Sequence, residues 1–319
     1  MSSGSNIRKV LFISAFLSLF LAGSAYALIN VSSCGSLNSN SDYALTADII
    51  NYPSSSDCFV ADHQESISFD CQGHIVDGTD ANNMASGFKL LFSSNVTIRN
   101  CTVTDFGRGI WLDSSSNNSL YSITANSNLD YGIKLFPRSS NNVLSGITAN
   151  SNWNGIGIYN SFDGSTASGS NNNTFSDITV SGNSGSGIYS YYSMDNTFSN
   201  IQASSNPNGI YLESSPANSF SVATLTSNSN LGMGMSNSQN NYFANVENEL
   251  GFVGINPFYS DSAQNISSRL NTGWWPLLSS DGSAATSPAN TAWYNGTSGG
   301  RNADGSANSS LHYWYNNQN

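Results

Sequence analysis

Asp105, Arg108 and Asp113 lie within nine residues of one another. A carboxylate beside a guanidinium can accept a proton and clamp an anion, so these three are the catalytic candidates. Arg99 stands just before them, with Asp70 and Asp77 earlier still; a surface ion pair is the alternative reading. A second set is aromatic with a few charges: Lys89, Trp111, Asp113, Lys134, Phe136, Tyr159, Tyr189, Tyr191, Tyr211 and Glu213. Rings held side by side can stack on sugar rings, while Lys and carboxylate groups bond hydroxyls or uronate carboxylates. Aromatic residues also favour strands and support one another across neighbours, so the same set could serve a sheet alone.

Metal chemistry has little to work with. His63, His74 and His312 are the three histidines, and no His, Cys and Met cluster supplies a soft-metal site. Met233 and Met235 read as core filler. Asp77–Asn82 and Asn302–Gly305 could wrap calcium loosely, but neither satisfies a full calcium-loop pattern. No cofactor and no metal ligands are assigned, and calcium stays an unsupported option. A Gly-rich phosphate loop, a nucleophile elbow and HExxH are all absent from the sequence.

What positions these residues is a repeat. GIWLDSSSNNSLYSITANSN at 109–128 returns as GIKLFPRSSNNVLSGITANSN at 132–152 and as GIYLESSPANSFSVATLTSN at 209–228. The phrases open at Gly87, Gly109, Gly132, Gly155, Gly187, Gly209 and Gly232, with intervals of 22, 23, 23, 32, 22 and 23 residues. Two apolar residues alternate with outward ones after each glycine, as in Ile110/Leu112 and Ile133/Leu135, and this period of two predicts a strand. A second apolar column follows at Ile98, Leu120, Leu144, Phe175, Phe198, Phe220 and Phe243, and a third begins three residues later at Cys101, Ile123, Ile147, Ile178, Ile201, Ala223 and Val246. Outward residues then fall in two rows: Lys89, Trp111, Lys134, Gly157, Tyr189, Tyr211, Gly234; and Leu91, Asp113, Phe136, Tyr159, Tyr191, Glu213, Ser236.

Asparagine keeps the same register, at 118, 142, 173, 196, 218 and 241 and at 128, 152, 183, 206 and 228. Asn tolerates left-handed backbone, and its amide can bond to an identical amide one layer away, so the pattern predicts stacked turns. A coil with one buried strand face cannot fold alone, whereas coils stacked about 4.8 Å apart bury a continuous column. A leucine-rich repeat competes, since Phe175-x-x-Ile178-x-Val180-x-x-Asn183 fits its consensus. The return segment here alternates and is poor in helix formers, which favours two or three strands per coil. The fourth coil carries an insertion, Tyr159 to Ser170, beside the aromatic rows; loops leaving a rigid scaffold often carry binding function, yet inserted turns are cheap in solenoids.

The chain has 319 residues, a formal net charge of -11 and 9% charged residues. That balance argues against nucleic-acid binding, which needs clustered Lys and Arg. Sixteen Phe, 15 Tyr and 6 Trp supply a core and argue against disorder. Arg8 and Lys9, the apolar run Val10–Leu21 and Ala25-Tyr26-Ala27 read as a secretory signal over residues 1–27, its apolar run too short for a span. No later segment is long enough to span a membrane, so a secreted or cell-surface location is expected. Oxidising surroundings suit two bridges among Cys34, Cys58, Cys71 and Cys101; the expected pairing is Cys34–Cys58 and Cys71–Cys101. Eight Asn-x-Ser/Thr sequons arise easily in so Asn-rich a chain. The domain reading is a cap at 28–66, repeats at 67–249 and an aromatic-rich cap and tail at 250–319, with Trp274 and Trp275 covering the last coil. The oligomeric state is left open.

From Cys34-Gly35, through Phe69-Asp70-Cys71-x-Gly73-His74, to about Asn248, the sequence resembles the right-handed parallel β-helix proteins of the NosD-like, pectin-lyase-like group; NNTFSDITVSGN and SNPNGIYLESS are phrases of that kind. The resemblance implies an all-β, single-stranded solenoid of about seven to nine coils. It leaves the activity open, since this rod carries lyases, hydrolases, epimerases and adhesins. Acids clustered on adjacent coils would mark a calcium-dependent lyase, but here Asp113 is followed on the face only by Glu213. The expectation is therefore a binding protein for a polysaccharide or other glycan, with a lyase or epimerase on the same face as one alternative and a structural or adhesive rod as the other.

Overall fold

The computed structural model describes residues 26–53, 55–79, 84–161, 168–236, 238, 241–248, 266–267, 291–293 and 314–316. Most of the signal segment, part of the fourth-coil insertion, the Trp274–Trp275 pair and much of the two calcium-like loops lie outside them. No α-helix occurs among the described residues. Parallel strands stack into a solenoid of about eight turns, built from a twelve-stranded sheet and a nine-stranded sheet.

Strand register follows the repeat. Ile98 pairs with Leu120, Leu120 with Leu144, Leu144 with Phe175, and the column continues through Phe198 and Phe220. Because identical positions stand one layer apart, like rings face like rings: Phe175 and Phe198 stack at 4.7 Å and 7°, Phe198 and Phe220 at 4.4 Å and 2°. These side chains are fully buried, and each removes about 1.5–3 kcal/mol of apolar exposure from water. The three-residue step between the second and third columns marks a corner. Asn100, Ser122, Gly146, Asp177, Asn200 and Val222 all take a left-handed φ between 52° and 65° there, which turns the chain while keeping both flanking side chains inward.

The asparagines form two ladders. The backbone N–H of Asn118 donates to Asn142 Oδ1, Asn142 to Asn173, Asn173 to Asn196, Asn196 to Asn218 and Asn218 to Asn241, at 2.7–2.9 Å. Asn128, Asn152, Asn183, Asn206 and Asn228 repeat the arrangement at the next turn. A third ladder is made of serines: the N–H of Ser93 reaches Ser115 Oγ, Ser115 reaches Ser139, and the series runs on through Ser170, Ser193 and Ser215 to Ser238. Turns that would bury bare N–H groups are thereby satisfied from the layer above.

Residues 28–66, expected to cap the N-terminal end, contribute strands to both sheets. Strands Leu28–Val31 and Ser41–Leu45 join the twelve-stranded sheet, and Gly35–Ser36 and Phe59–Asp62 join the nine-stranded one. Tyr43, Leu45, Phe59 and Ala61 enter the common core. This segment supplies the first coils, without the Gly-opening phrase that marks the later ones. Cys34–Cys58 and Cys71–Cys101 are both bridged, with Cα atoms 4.7 Å and 4.9 Å apart. Each bond joins neighbouring layers, since Gly35 pairs with Phe59 and Asp70 with Arg99. Past the repeats, Thr291–Trp293 pairs antiparallel with Trp314–Asn316.

Candidate functional site

The nine-stranded sheet sets the outward rows in the expected order. Lys89 pairs with Trp111, Trp111 with Lys134, Lys134 with Gly157, Gly157 with Tyr189, Tyr189 with Tyr211 and Tyr211 with Gly234. Leu91 and Phe136 both pair with Asp113, and Tyr191 pairs with Tyr159 and Glu213. A further row runs beside them, one residue before each opening glycine: Ser86, Arg108, Tyr131 and Asn154.

Cations gather at one end of this face. Among the described residues there are five Lys and Arg, and Lys89, Arg108 and Lys134 occupy three consecutive coils of it. Trp111 receives both Lys89 Nζ, 4.7 Å from its ring centre, and Arg108 Cζ at 4.4 Å. Lys89 is also paired with Asp57 at 2.9 Å, and Arg108 Nε lies 3.4 Å from Asp130 Oδ2. The ammonium of Lys134 stands 4.4 Å from the Tyr131 ring, 5.2 Å from Tyr159 and 5.3 Å from Phe136. Aromatic faces attract a cation without neutralising it. No carboxylate among the described residues comes within ion-pair distance of Lys134. Burial lowers its pKa to about 8, helped by the charge of Arg108 and opposed by Asp130 and Asp113. Three nearby donor atoms, Ser86 Oγ, Arg108 Nε and Trp111 Nε1, are buried without a hydrogen-bond partner.

The tyrosines pack against one another more than expected. Tyr131 and Tyr159 share a hydrogen bond of 2.6 Å between their hydroxyls, and Tyr189 donates to Glu213 Oε2 at 2.5 Å. Tyr131 meets Tyr159 edge to face at 78°, and Tyr159 meets Tyr189 at 82°. Only 7% of Tyr131 and 9% of Tyr159 are exposed. Glycine makes room for this: a Cβ at Gly157 would fall 2.6 Å from the Tyr131 ring and 2.7 Å from that of Tyr159. Burial raises the pKa of Tyr131, Tyr159, Tyr189 and Tyr211, with Glu213 reinforcing the rise at the last two. All four phenols hold their protons at neutral pH, and Tyr159 presents little open ring for a ligand.

The catalytic candidates split up. Arg108 and Asp113 lie on neighbouring rows of this face, but Arg108 pairs with Asp130, while the Asp105 carboxylate accepts a bond from Thr104 Oγ1 at 2.9 Å. Asp113 accepts from Ser114 Oγ. Arg99 and Asp70 pair at 3.0 Å on the other sheet. Sequence reading missed Asp57, Asp130, Tyr131, Asn154 and the exposed Trp153; all but Asp57 lie within three residues before Gly132 or Gly155, where Arg108 stands before Gly109. Extending the alignment backwards from each glycine would have found them.

A family model described as "Right handed beta helix region" matches residues 40–172 and 158–267, well over half of the chain. No curated protein matches the sequence. Among solved structures, the A-modules of two Azotobacter vinelandii mannuronan C-5 epimerases are similar. AlgE4 aligns with TM-score 0.58 and 10% identity over 75% of this chain and 83% of that one, and AlgE6 with 0.56 and 11% over 80% and 82%. The catalytic domain of a GH87 α-1,3-glucanase aligns with TM-score 0.51 and 12% identity over 75% and 57%. Identities this low establish likeness of fold.

Proposed function

Because the chain belongs to the right-handed β-helix family, we propose that the outer face of its nine-stranded sheet binds an acidic glycan outside the cytoplasm. One observation carries this reading. In a chain of net charge -11, Lys89, Arg108 and Lys134 converge on three consecutive coils beside aromatic rings. A bound carboxylate would give Lys134 the counter-charge that its aromatic surroundings lack, and sugar C–H faces suit such surroundings. Similar folds belong to an enzyme of mannuronan and one of α-1,3-glucan, which supports a glycan as the partner. Two disulfides accord with an extracytoplasmic location, and no helix among the described residues is long and apolar enough to cross a membrane. Screening immobilised oligomannuronates against neutral α-1,3-gluco-oligosaccharides tests the reading: acidic chains should be retained and neutral ones released.

A lyase or epimerase acting on the same face is the second reading. Lys134, with a pKa of about 8, and the Tyr131–Tyr159 pair place proton-transfer groups within the cation cluster. Incubation with polymannuronate decides it: unsaturated uronate would mark a lyase and an altered uronate composition an epimerase, while neither product leaves binding.

A further inference from the structure

We infer that Trp153 is the sugar-stacking platform of this face, so that the glycan passes over the turn before the fourth coil instead of running along the tyrosine ladder. The inference rests on the acidic-glycan reading above and adds where the next sugar sits. Ring stacking needs an open aromatic face, and the ladder offers few: Tyr131 and Tyr159 are nearly covered, and Trp111 already carries Lys89 and Arg108 against its ring. Trp153 is 56% exposed, and Leu129, in the matching turn of the preceding coil, is 45% exposed.

That turn is fixed in place. Leu129 and Asp130 donate their N–H groups to Phe106 and Gly107, Asn154 donates to Asp130, and Gly185 donates to Trp153 at 2.6 Å. Gly185 also gives the indole a seat, for a Cβ there would approach Trp153 Nε1 to 3.3 Å and Trp153 O to 3.0 Å. An indole resting on backbone loses little freedom when a ligand covers it. The patch is continuous with the cation cluster: Asp130, beside Leu129, pairs with Arg108, and Asn154, beside Trp153, is the register partner of Tyr131. A carboxylate seated at Arg108 and Lys134 would thus bring a neighbouring sugar of the same chain toward Trp153.

Calorimetric titration with mannuronate dimer and hexamer tests this in wild-type, Trp153→Ala and Trp153→Phe chains. Wild-type should bind the hexamer more tightly than the dimer. Trp153→Ala should lose about tenfold for the hexamer, as expected of a buried aromatic anchor, while keeping its dimer affinity; Trp153→Phe should recover most of the loss. Undiminished hexamer binding by Trp153→Ala overturns the platform and leaves the acidic-glycan reading intact. Wild-type chains that bind neither probe refute the reading itself. The exposed position of Trp153 lets both variants fold, which unchanged far-ultraviolet circular dichroism verifies.

Discussion

Val222 occupies the corner that Asn200 occupies one layer earlier, and both are left-handed, with φ of 61° and 53°. Asn and Gly adopt this conformation readily, but a β-branched side chain is strained in it. Val222 is also 46% exposed, so little packing offsets the strain. Val222→Asn should therefore stabilise the fold by roughly 1 kcal/mol, seen as a higher melting temperature; a lower one would show that the corner prefers the apolar side chain.

Asn173 holds two donors of the layer before it, the backbone N–H of Asn142 at 2.9 Å and its side-chain Nδ2 at 3.0 Å. Asn173→Ala strands the buried N–H of Asn142, while Asn142 Nδ2 keeps its bond to Ser115 O at 3.1 Å. The expected loss is roughly 1–3 kcal/mol for that one buried donor left unpaired, read from denaturant midpoints. Asn172→Ala, at the exposed neighbour, should cost less, about 1 kcal/mol, because its left-handed φ of 57° favours Asn.

The bond between Cys71 and Cys101 closes 30 residues of sequence. Replacing both cysteines by serine should cost about 3–4 kcal/mol, chiefly through the freedom returned to the unfolded chain. A melting temperature that stays unchanged would remove the disulfide from the account of stability.

Lys134 gives opposite responses to pH in binding and stability. Its pKa of about 8 lies below the ordinary 10.5, so between these values the unfolded chain binds more protons than the folded one, and stability rises with pH. Below pH 8 the lysine is charged in both states and the burial penalty is present in full. Raising the pH from 7 to 9.5 should therefore relieve much of the Lys134 penalty, the rest being gone only above 10.5, while weakening acidic-glycan binding. Lys134→Met should stabilise the fold at pH 7 and weaken binding as well. A melting temperature that falls in Lys134→Met would contradict the burial penalty.

Much of the solenoid was legible because each coil repeats its neighbour's chemistry. Ile98, Leu120 and Leu144 share a column as their spacing required, and the asparagines bond along the ladders their register implied. The serine ladder escaped notice because serine is so common in this chain that one periodic file of it did not stand out. The strands at 28–66 were harder to place: Tyr43 and Phe59 pack as later core residues do, but their segments lack the Gly-Ile phrase. At the face, sequence placed Lys89, Trp111 and Lys134 on successive strands. It could not show that Tyr131 and Tyr159 would spend their hydroxyls on each other, nor that Arg108 would choose Asp130 over Asp105, because side-chain direction across layers depends on neighbours such as Gly157.

The most direct test is calorimetric titration of mannuronate hexamer into the wild-type chain and an Arg108→Gln/Lys134→Met double variant, with α-1,3-linked glucose hexamer as the neutral control. The wild-type chain should bind the acidic hexamer and ignore the neutral one, with affinity falling as salt is raised, and the double variant should bind neither. Equal binding of both sugars, or undiminished acidic binding by the double variant, would contradict a recognition site built on these cations.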